Sequence, residues 1–325
     1  MTASIDTYRN SKFVTVACPL CGGQEHRHER TIRGFSLVRC RDCDLVFVNP
    51  QLDAAEVARI YEDKKDPNEV IEIYTRLATP GVIGEYDRKL EQIETLRGSK
   101  GRILDFACAA AYFVERAAAR GWDAHGVDIG SWVGLAAERR GIRNVHIGQL
   151  SELSFPESYF DVIYAAQVFE HLQAPVAILA ELRRILRPDG LLYVDVPNYR
   201  TIPIMLGRDD FFLNSPPQHI NFFTPRTLEL LLKSGGFHIE FLSTEGGLKW
   251  ENLIGRPIAS DIADAYRART ADNRSVPRTY RWSAAASLKS VLRPLVAGLF
   301  YRSAKVGINL VAISRPGGSS VPAPM

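Results

Sequence analysis

Arg102-Ile103-Leu104-Asp105-Phe106-Ala107-Cys108-Ala109-Ala110-Ala111, followed by the amphipathic stretch Phe113–Arg120 and then by Asp123-Ala124-His125-Gly126-Val127-Asp128-Ile129, is the part of this sequence that decides the fold. A short apolar run, a turn of small residues, a helical period and a second run ending in an acid read as strand, turn, helix, strand. The alternation continues downstream. Candidate strands are Arg102–Phe106, Asp123–Ile129, Asn144–Gly148, Phe160–Ala166, Gly190–Pro197, His238–Glu245 and Gly307–Arg315. Helical segments Phe113–Arg120, Trp132–Arg140, Pro175–Arg187 and Pro225–Ser234 lie between most of them. Apolar strands separated by amphipathic helices predict an α/β fold with a doubly wound, mostly parallel sheet of seven strands. Basic, helical sequence over 250–305 interrupts the rhythm, so the sheet domain is expected over 101–249 and 306–315. The last stretch, 316–325, is rich in Gly, Ser and Pro and reads as a disordered tail.

In an open α/β sheet, ligands bind beyond the carboxyl ends of the strands, near the reversal of strand order. The residues at those ends are Asp105 to Ala111, Asp128, Gln149-Leu150, Ala166-Gln167 with Glu170-His171 just after, and Pro197-Asn198. An acid ending the second strand can accept both hydroxyls of a ribose, and small residues after the first strand let backbone amides approach a ligand. A dinucleotide site requires Gly-x-Gly-x-x-Gly, so that pyrophosphate rests on amides. Here the loop is Ala-Cys-Ala-Ala-Ala, and the Asp105 carboxylate repels phosphate. A nucleoside ligand with a positive sulfonium and ammonium fits better.

Several stretches carry a resemblance: Ile103-Leu-Asp-Phe106, Gly126-Val-Asp128, Phe160-Asp-Val-Ile163, Val168-Phe-Glu-His-Leu172, Leu182-Arg-Arg-Ile-Leu-Arg-Pro-Asp-Gly190, Gln218-His-Ile-Asn-Phe-Phe-Thr-Pro225 and Gly235-Gly-Phe237. In this order and spacing the chain is similar to class I S-adenosylmethionine-dependent methyltransferases of the small-molecule type that carry an N-terminal zinc ribbon. The resemblance implies a Rossmann-like methyltransferase sheet. It also implies that Asp105, Phe106, Ala107, Cys108, Ala109 and Ala111 wrap the methionine portion of S-adenosylmethionine. Asp128 and Ile129 would hold the ribose and edge the adenine, Gln149 and Leu150 would contact the adenine, and Ala166 and Gln167 would line the methyl-transfer side. One departure stands out: the family's loop is Asp-x-Gly-x-Gly-x-Gly, and Ala107, Ala109 and Ala111 replace its three glycines. Alanine fits the first two positions if they keep negative φ, whereas a methyl group at Ala111 would crowd the cofactor's tail. Cys108 reads as a buried packing thiol.

Four of the five cysteines form two knuckles, Cys18-Pro-Leu-Cys21 and Cys40-Arg-Asp-Cys43. This spacing fits a tetrahedral four-thiolate zinc site. Residues 1–50 are therefore expected to be a zinc ribbon with short strands at Ser36–Arg39 and Leu45–Val48, and with His26 and His28 solvated in a charged hairpin over 24–30. So small a unit draws its folding energy from the metal, and four thiolates leave no open coordination position, so the zinc is structural. Residues 51–100 read as a helical connector, starting at the capping-box arrangement Asp53-Ala-Ala-Glu56 and ending in an amphipathic helix over Gly84–Arg97.

The whole chain has 325 residues, 46% hydrophobic and 24% charged, which allows a sizeable core and excludes wholesale disorder. Its net charge of +3 is uneven: from Glu251 onward 11 Lys/Arg face 4 Asp/Glu, which leaves −4 on the first 250 residues. That is not the field of a duplex-binding protein, and no nucleic-acid partner is expected. No apolar run approaches the ~20 residues of a membrane span, and the start, MTASIDTYRN, has no signal-peptide core. A cytoplasmic protein is expected. The basic stretch 287–305 reads either as a helical lid or as a surface for an anionic membrane or a lipid-linked acceptor.

Methyl transfer from a sulfonium is an in-line displacement, and a hydroxyl or acidic-carbon acceptor also needs a base. His171, after the fourth strand, and His219, in the proline-fixed loop Ser215-Pro-Pro-Gln-His219, are the candidates, with Tyr199 on the acceptor side. The function expected is S-adenosylmethionine-dependent methylation of a small molecule such as a sugar, a secondary metabolite or a cell-surface precursor. A noncatalytic binding protein on a degenerate methyltransferase fold and an RNA methyltransferase are the alternatives.

Overall fold

The computed structural model describes residues 4–62, 66–201, 204, 216–245 and 308–317, with backbone alone for 60–62. The expected basic segment 250–305, including 287–305, and the tail from 318 lie outside the described residues.

The N-terminal region holds strands β1 (Phe13–Val14), β2 (His26–Ile32), β3 (Phe35–Cys40), β4 (Val46–Val48) and β5 (Gln51–Leu52). Helices α1 (Ala54–Glu62), α2 (Pro67–Leu77) and α3 (Pro80–Arg97) follow. The Asp53 carboxylate accepts from the Glu56 amide at 2.9 Å, as the capping pattern requires. Proline at the first position starts both α2 and α3, where its missing N–H costs nothing.

The sheet domain continues with β6 (Arg102–Phe106), α4 (Tyr112–Ala119), β7 (Asp123–Asp128), α5 (Trp132–Arg139), β8 (Val145–Ile147), β9 (Phe160–Ala166), α6 (Pro175–Ile185) and β10 (Leu186–Pro197). It ends with β11 (Asn221–Phe222), α7 (Pro225–Ser234), β12 (Phe237–Glu245) and β13 (Asn309–Pro316). The seven-stranded sheet has the order β12-β13-β10-β9-β6-β7-β8. Strands β10, β9, β6, β7 and β8 run parallel, and β13 pairs antiparallel to both β10 and β12. This is the Rossmann-like methyltransferase fold. The order reverses between β6 and β9, which places the β6–α4 loop at the crevice.

Alternation along the strands gives the sheet two dry faces. Ile103, Val162, Tyr164, Leu191 and Tyr193 pack with Leu90 and Ile93 of α3 and Phe113 of α4 on one side. Leu104, Ile163, Leu192 and Val194 pack with α6 and α7 on the other, in a core that continues into Cys18, Cys40, Cys43 and Phe47.

Two features of the ribbon differ from the sequence reading. The stretch expected as a charged hairpin over 24–30 is largely strand, because His26–Ile32 pairs with β3. His26 is not simply solvated: its Nε2 meets the Gly23 carbonyl at 2.9 Å and its ring stands edge-on to Phe47. The ribbon sheet also takes a fourth strand from far along the chain, with Asn221 and Phe222 pairing to Phe47 and Val46.

Candidate functional site

The loop after β6 is built by hydrogen bonds to the end of β7. The amides of Ala107 and Cys108 both donate to the Val127 carbonyl, at 2.8 and 3.0 Å. The Ala109 amide donates to one Asp128 oxygen and the Gly130 amide to the other, both at 2.9 Å. The expectation that Ala107 and Ala109 keep negative φ is overturned: φ is 67° at Ala107, 46° at Ala109 and 59° at Ala111. The loop takes the glycine conformation with alanine in all three places. Left-handed backbone costs an alanine about 1–2 kcal/mol per residue, and the bonds to Val127 and Asp128 hold it there. Ala111 is the N-cap of α4 and is fully buried. Cys108 packs beneath the loop, where a Cβ on Gly126 would come within 2.7 Å of its sulfur. Burial pushes its thiol well above the ordinary range, so it stays protonated.

Asp105 ends β6 on the same side. It is buried, and burial together with the Asp128 charge raises its carboxyl well above the usual range. Among the described residues none donates a hydrogen bond to it. A cationic ligand would compensate both acids, and the donor set fits the positive sulfonium and ammonium and the ribose of S-adenosylmethionine. Ile129 is exposed beside Asp128, and Leu150 is buried below exposed Gln149. Phe106 points into the opposite core with Leu104 and contributes packing.

The helices before β6 add residues that sequence reasoning missed. Tyr74 of α2 stacks on Trp132 of α5 at 4.9 Å, and burial with the nearby Asp128 charge raises its phenol. Tyr86 of α3 is pushed up to about 12 by burial and then by Asp105. Lys89 of α3 forms an ion pair with Asp195 on β10. The other Asp195 oxygen accepts from Gln167 Nε2 at 3.0 Å, and the Asp195 carbonyl accepts from the Gln167 amide at 2.7 Å. Gln167, left-handed at φ 54°, is thus positioned beside Ala166 by a buried pair. One signal could have found Asp195: an acid inside the apolar run Leu191-Leu-Tyr-Val-Asp195-Val.

The structure brings His171 and His219 together, their rings edge-to-face at 4.6 Å, and adds Glu170. Ligand atoms of all three lie within 4.8 Å of one another. The Ile220 amide donates to the Glu170 carbonyl at 2.8 Å, and Asn221 Nδ2 donates to the carbonyls of Phe169 and Leu172, which fastens the two segments. Burial lowers His171 to about 4 and His219 to about 3, so both imidazoles are neutral at neutral pH. Burial, with some contribution from Asp195, raises Glu170 to about 8. Tyr199 lies elsewhere, in the cluster of Ile32, Phe35, Leu37 and Val48, with its ring on Phe222 and under Arg30.

The four knuckle cysteines converge. The Sγ pairs Cys18–Cys43 and Cys21–Cys40 are 3.5 Å apart, and all four sulfurs lie within 4.8 Å of one another. Zinc–sulfur bonds of about 2.3 Å hold tetrahedral sulfurs about 3.8 Å apart, so the set fits one ion. Each knuckle closes on a backbone bond, Gly22 N to Cys18 O at 2.8 Å and Asp44 N to Cys40 O at 3.2 Å. A Cβ on Gly23 would stand 2.1 Å from Asp42 Oδ2 and 3.2 Å from Cys40 Sγ, so a side chain there would displace Asp42 and press on the sulfur cluster. Contact with Cys43 pulls the Cys18 thiol down to about 5, while burial pushes Cys21 up to about 11. Crowded sulfurs of this kind are matched by a shared cation.

A methyltransferase-domain profile matches residues 80–240. A probable S-adenosylmethionine-dependent methyltransferase of Mycolicibacterium smegmatis is 36% identical over 97 residues, which are 30% of this chain and 36% of that protein. The ubiquinone biosynthesis O-methyltransferase of Roseobacter denitrificans is 28% identical over 176 residues, 49% of this chain and 67% of that one. The chain thus spans just over a third of the first relative's length. A SAM-dependent methyltransferase from Archaeoglobus fulgidus is similar in structure, with a TM-score of 0.48 and 17% identity over 72% of this chain and 92% of that one. The profile begins at Pro80, so α3, read from sequence as connector, falls inside the matched domain. Among the described residues no helix is long and apolar enough to cross a membrane.

Proposed function

We propose, from the premise that this chain carries a class I S-adenosylmethionine-dependent methyltransferase domain over residues 80–240, that it methylates a hydroxyl of a small-molecule acceptor such as a sugar, a secondary metabolite or a cell-surface precursor. The bound cofactor supplies a methyl group activated by its sulfonium. The observation that carries this reading is the left-handed loop over a buried Asp105 and a half-buried Asp128, two carboxylates without a described cationic partner at the switch of the sheet. Asp128 orients the ribose. Asp105 places negative charge beneath the ligand's cationic end. Gln149 and Leu150 edge the adenine. Lys89 and Asp195 fix Gln167, which borders the acceptor.

The acceptor's proton leaves toward the Glu170–His171–His219 corner. Burial keeps both imidazoles neutral while weakening them as bases, and placing a base against the hydroxyl contributes about a hundredfold or more to rate. The O-methyltransferase relatives favour oxygen over nitrogen or carbon as the atom methylated. Cys18, Cys21, Cys40 and Cys43 hold a structural zinc ion that ties the ribbon to the domain. No nucleic acid is required by this arrangement, and Tyr199 takes no part in it.

The test is incubation with methyl-labelled cofactor and a panel of phenolic and sugar acceptors. Label should appear on a hydroxyl, and His171→Asn should lower kcat by about a hundredfold while cofactor affinity stays the same. Cofactor binding without label transfer to any hydroxyl would favour the second reading, a noncatalytic binding protein, for which the three loop alanines are the specific observation.

A further inference from the structure

Glu170 presents a chemical problem that neither protonation state solves. It is 1% exposed, and neither carboxylate oxygen has a hydrogen-bond partner among the described residues. As an anion it would leave a buried charge unbalanced, which is strongly unfavourable. As an acid it would carry an O–H donor with no acceptor within hydrogen-bond distance among the described residues. What faces it is a pair of imidazoles. The Gln218 carbonyl accepts at 2.9 Å from His171 Nδ1, which places the ring proton there and sets Nε2 at 3.8 Å from Glu170 Oε1. Histidines that ligate metals are oriented in this way, with the second ring nitrogen donating to a carbonyl or carboxylate. His219 is buried and edge-on to His171, so its ring adds a second nitrogen to the same corner.

We propose that Glu170, His171 and His219 form a second metal site, one that binds a divalent transition-metal ion and is separate from the four-cysteine cluster. A tetrahedral ion with bonds of about 2.1 Å holds its donor atoms about 3.4 Å apart, and the three side chains already bring theirs within 4.8 Å. Two imidazoles and one carboxylate suit zinc, cobalt, manganese or iron rather than calcium or magnesium. The scaffold is braced: the Ile220 amide and the Asn221 side chain lock the loop carrying His219 to the turn carrying Glu170. Three protein ligands leave coordination positions open, and the hydroxyl of the acceptor is the group that fills one. This last point alone rests on the methyl-transfer reading; the existence of the ion does not. With the ion bound, the imidazoles would serve as ligands in place of the base role proposed above, and the cation's charge would lower the pKa of the hydroxyl, whose proton would pass to water.

The experiment uses the full chain as purified, with its thiolate site filled, dialysed into metal-free buffer and titrated with Co2+. The expected result is weak visible absorption from a nitrogen- and oxygen-ligated ion, without a thiolate charge-transfer band, saturating at one equivalent and accompanied by a rise in Tm. Glu170→Gln and His219→Ala should each weaken this binding at least tenfold and abolish the rise in Tm. His171→Gln is the further variant should either of the others lose its cooperative thermal transition. Absence of the visible bands, their appearance only with a thiolate band, or unchanged affinity in folded Glu170→Gln and His219→Ala would overturn the site. A protein that binds the second ion but methylates no acceptor would leave the metal site standing and count against methyl transfer; a methylating protein without the second ion would do the reverse.

Discussion

At the cysteine knuckles the chain turns left-handed at Gly22 and Asp44; after β6 it does so at Ala107, Ala109 and Ala111. The first pair are residues that accept such a backbone readily, and the turns close on two cysteine carbonyls. The three alanines do not accept it readily, and they hold it because the Val127 carbonyl and the Asp128 carboxylate take three of the loop's amides. Residue type therefore reports conformation at the knuckles but not at the loop. There the conformation belongs to the sheet end, and the alanines conform to it.

The largest effect should come from the knuckles. Because β11 completes the ribbon sheet and Cys18, Cys40 and Cys43 share a core with α6 and α7, Cys40→Ser or metal removal should lower the stability of the whole protein. Binding of a structural zinc ion is worth on the order of 10 kcal/mol, which is folding free energy. Thermal melts should show one transition moving down; two independent transitions would mean that ribbon and domain are uncoupled.

Asp128→Ala removes the acceptor for two loop amides and, on the proposed reading, for the ribose. Calorimetry should find S-adenosylmethionine binding weaker by about 2–3 kcal/mol, and unchanged affinity would remove Asp128 from the site. A smaller and opposite effect is expected in the apo protein at Asp105. Its folded pKa lies above the unfolded value, so its contribution to stability is fully present below the ordinary carboxylate pKa and is lost as pH rises through the folded value. Apo Asp105→Asn should therefore be more stable than wild type at neutral pH. The advantage should vanish below about pH 4. The smallest effect belongs to Ala111→Gly. Glycine removes a left-handed cost of about 1 kcal/mol and adds a similar unfolded-state entropy, so stability and cofactor affinity should move little in urea titration and calorimetry.

Much of this was legible in the sequence. The strand ends Phe106, Ala166 and Pro197 fall where apolar runs stop, and Cys18, Cys21, Cys40 and Cys43 converge as their spacing requires. Backbone sign at Ala107 and Ala109 was not legible, because bonds from a strand distant in sequence set it. Glu170 was visible only as a neighbour of His171, since its isolation depends on the loop that returns from residue 216. The fourth ribbon strand at Asn221–Phe222 was hidden for a related reason: two residues carry no period, and only the tertiary register with β4 defines them. The Lys89–Asp195 pair joins positions 106 residues apart in the chain, which no local pattern reports.

The central claim is that the alanine loop is an adapted cofactor site. Calorimetric titration of S-adenosylmethionine into wild-type protein, beside the triple variant Ala107→Gly, Ala109→Gly, Ala111→Gly, tests it most directly. One site per chain is expected in both proteins, with affinities within about threefold of each other, a difference below about 1 kcal/mol. No binding to wild type, with binding restored by the three glycines, would contradict it.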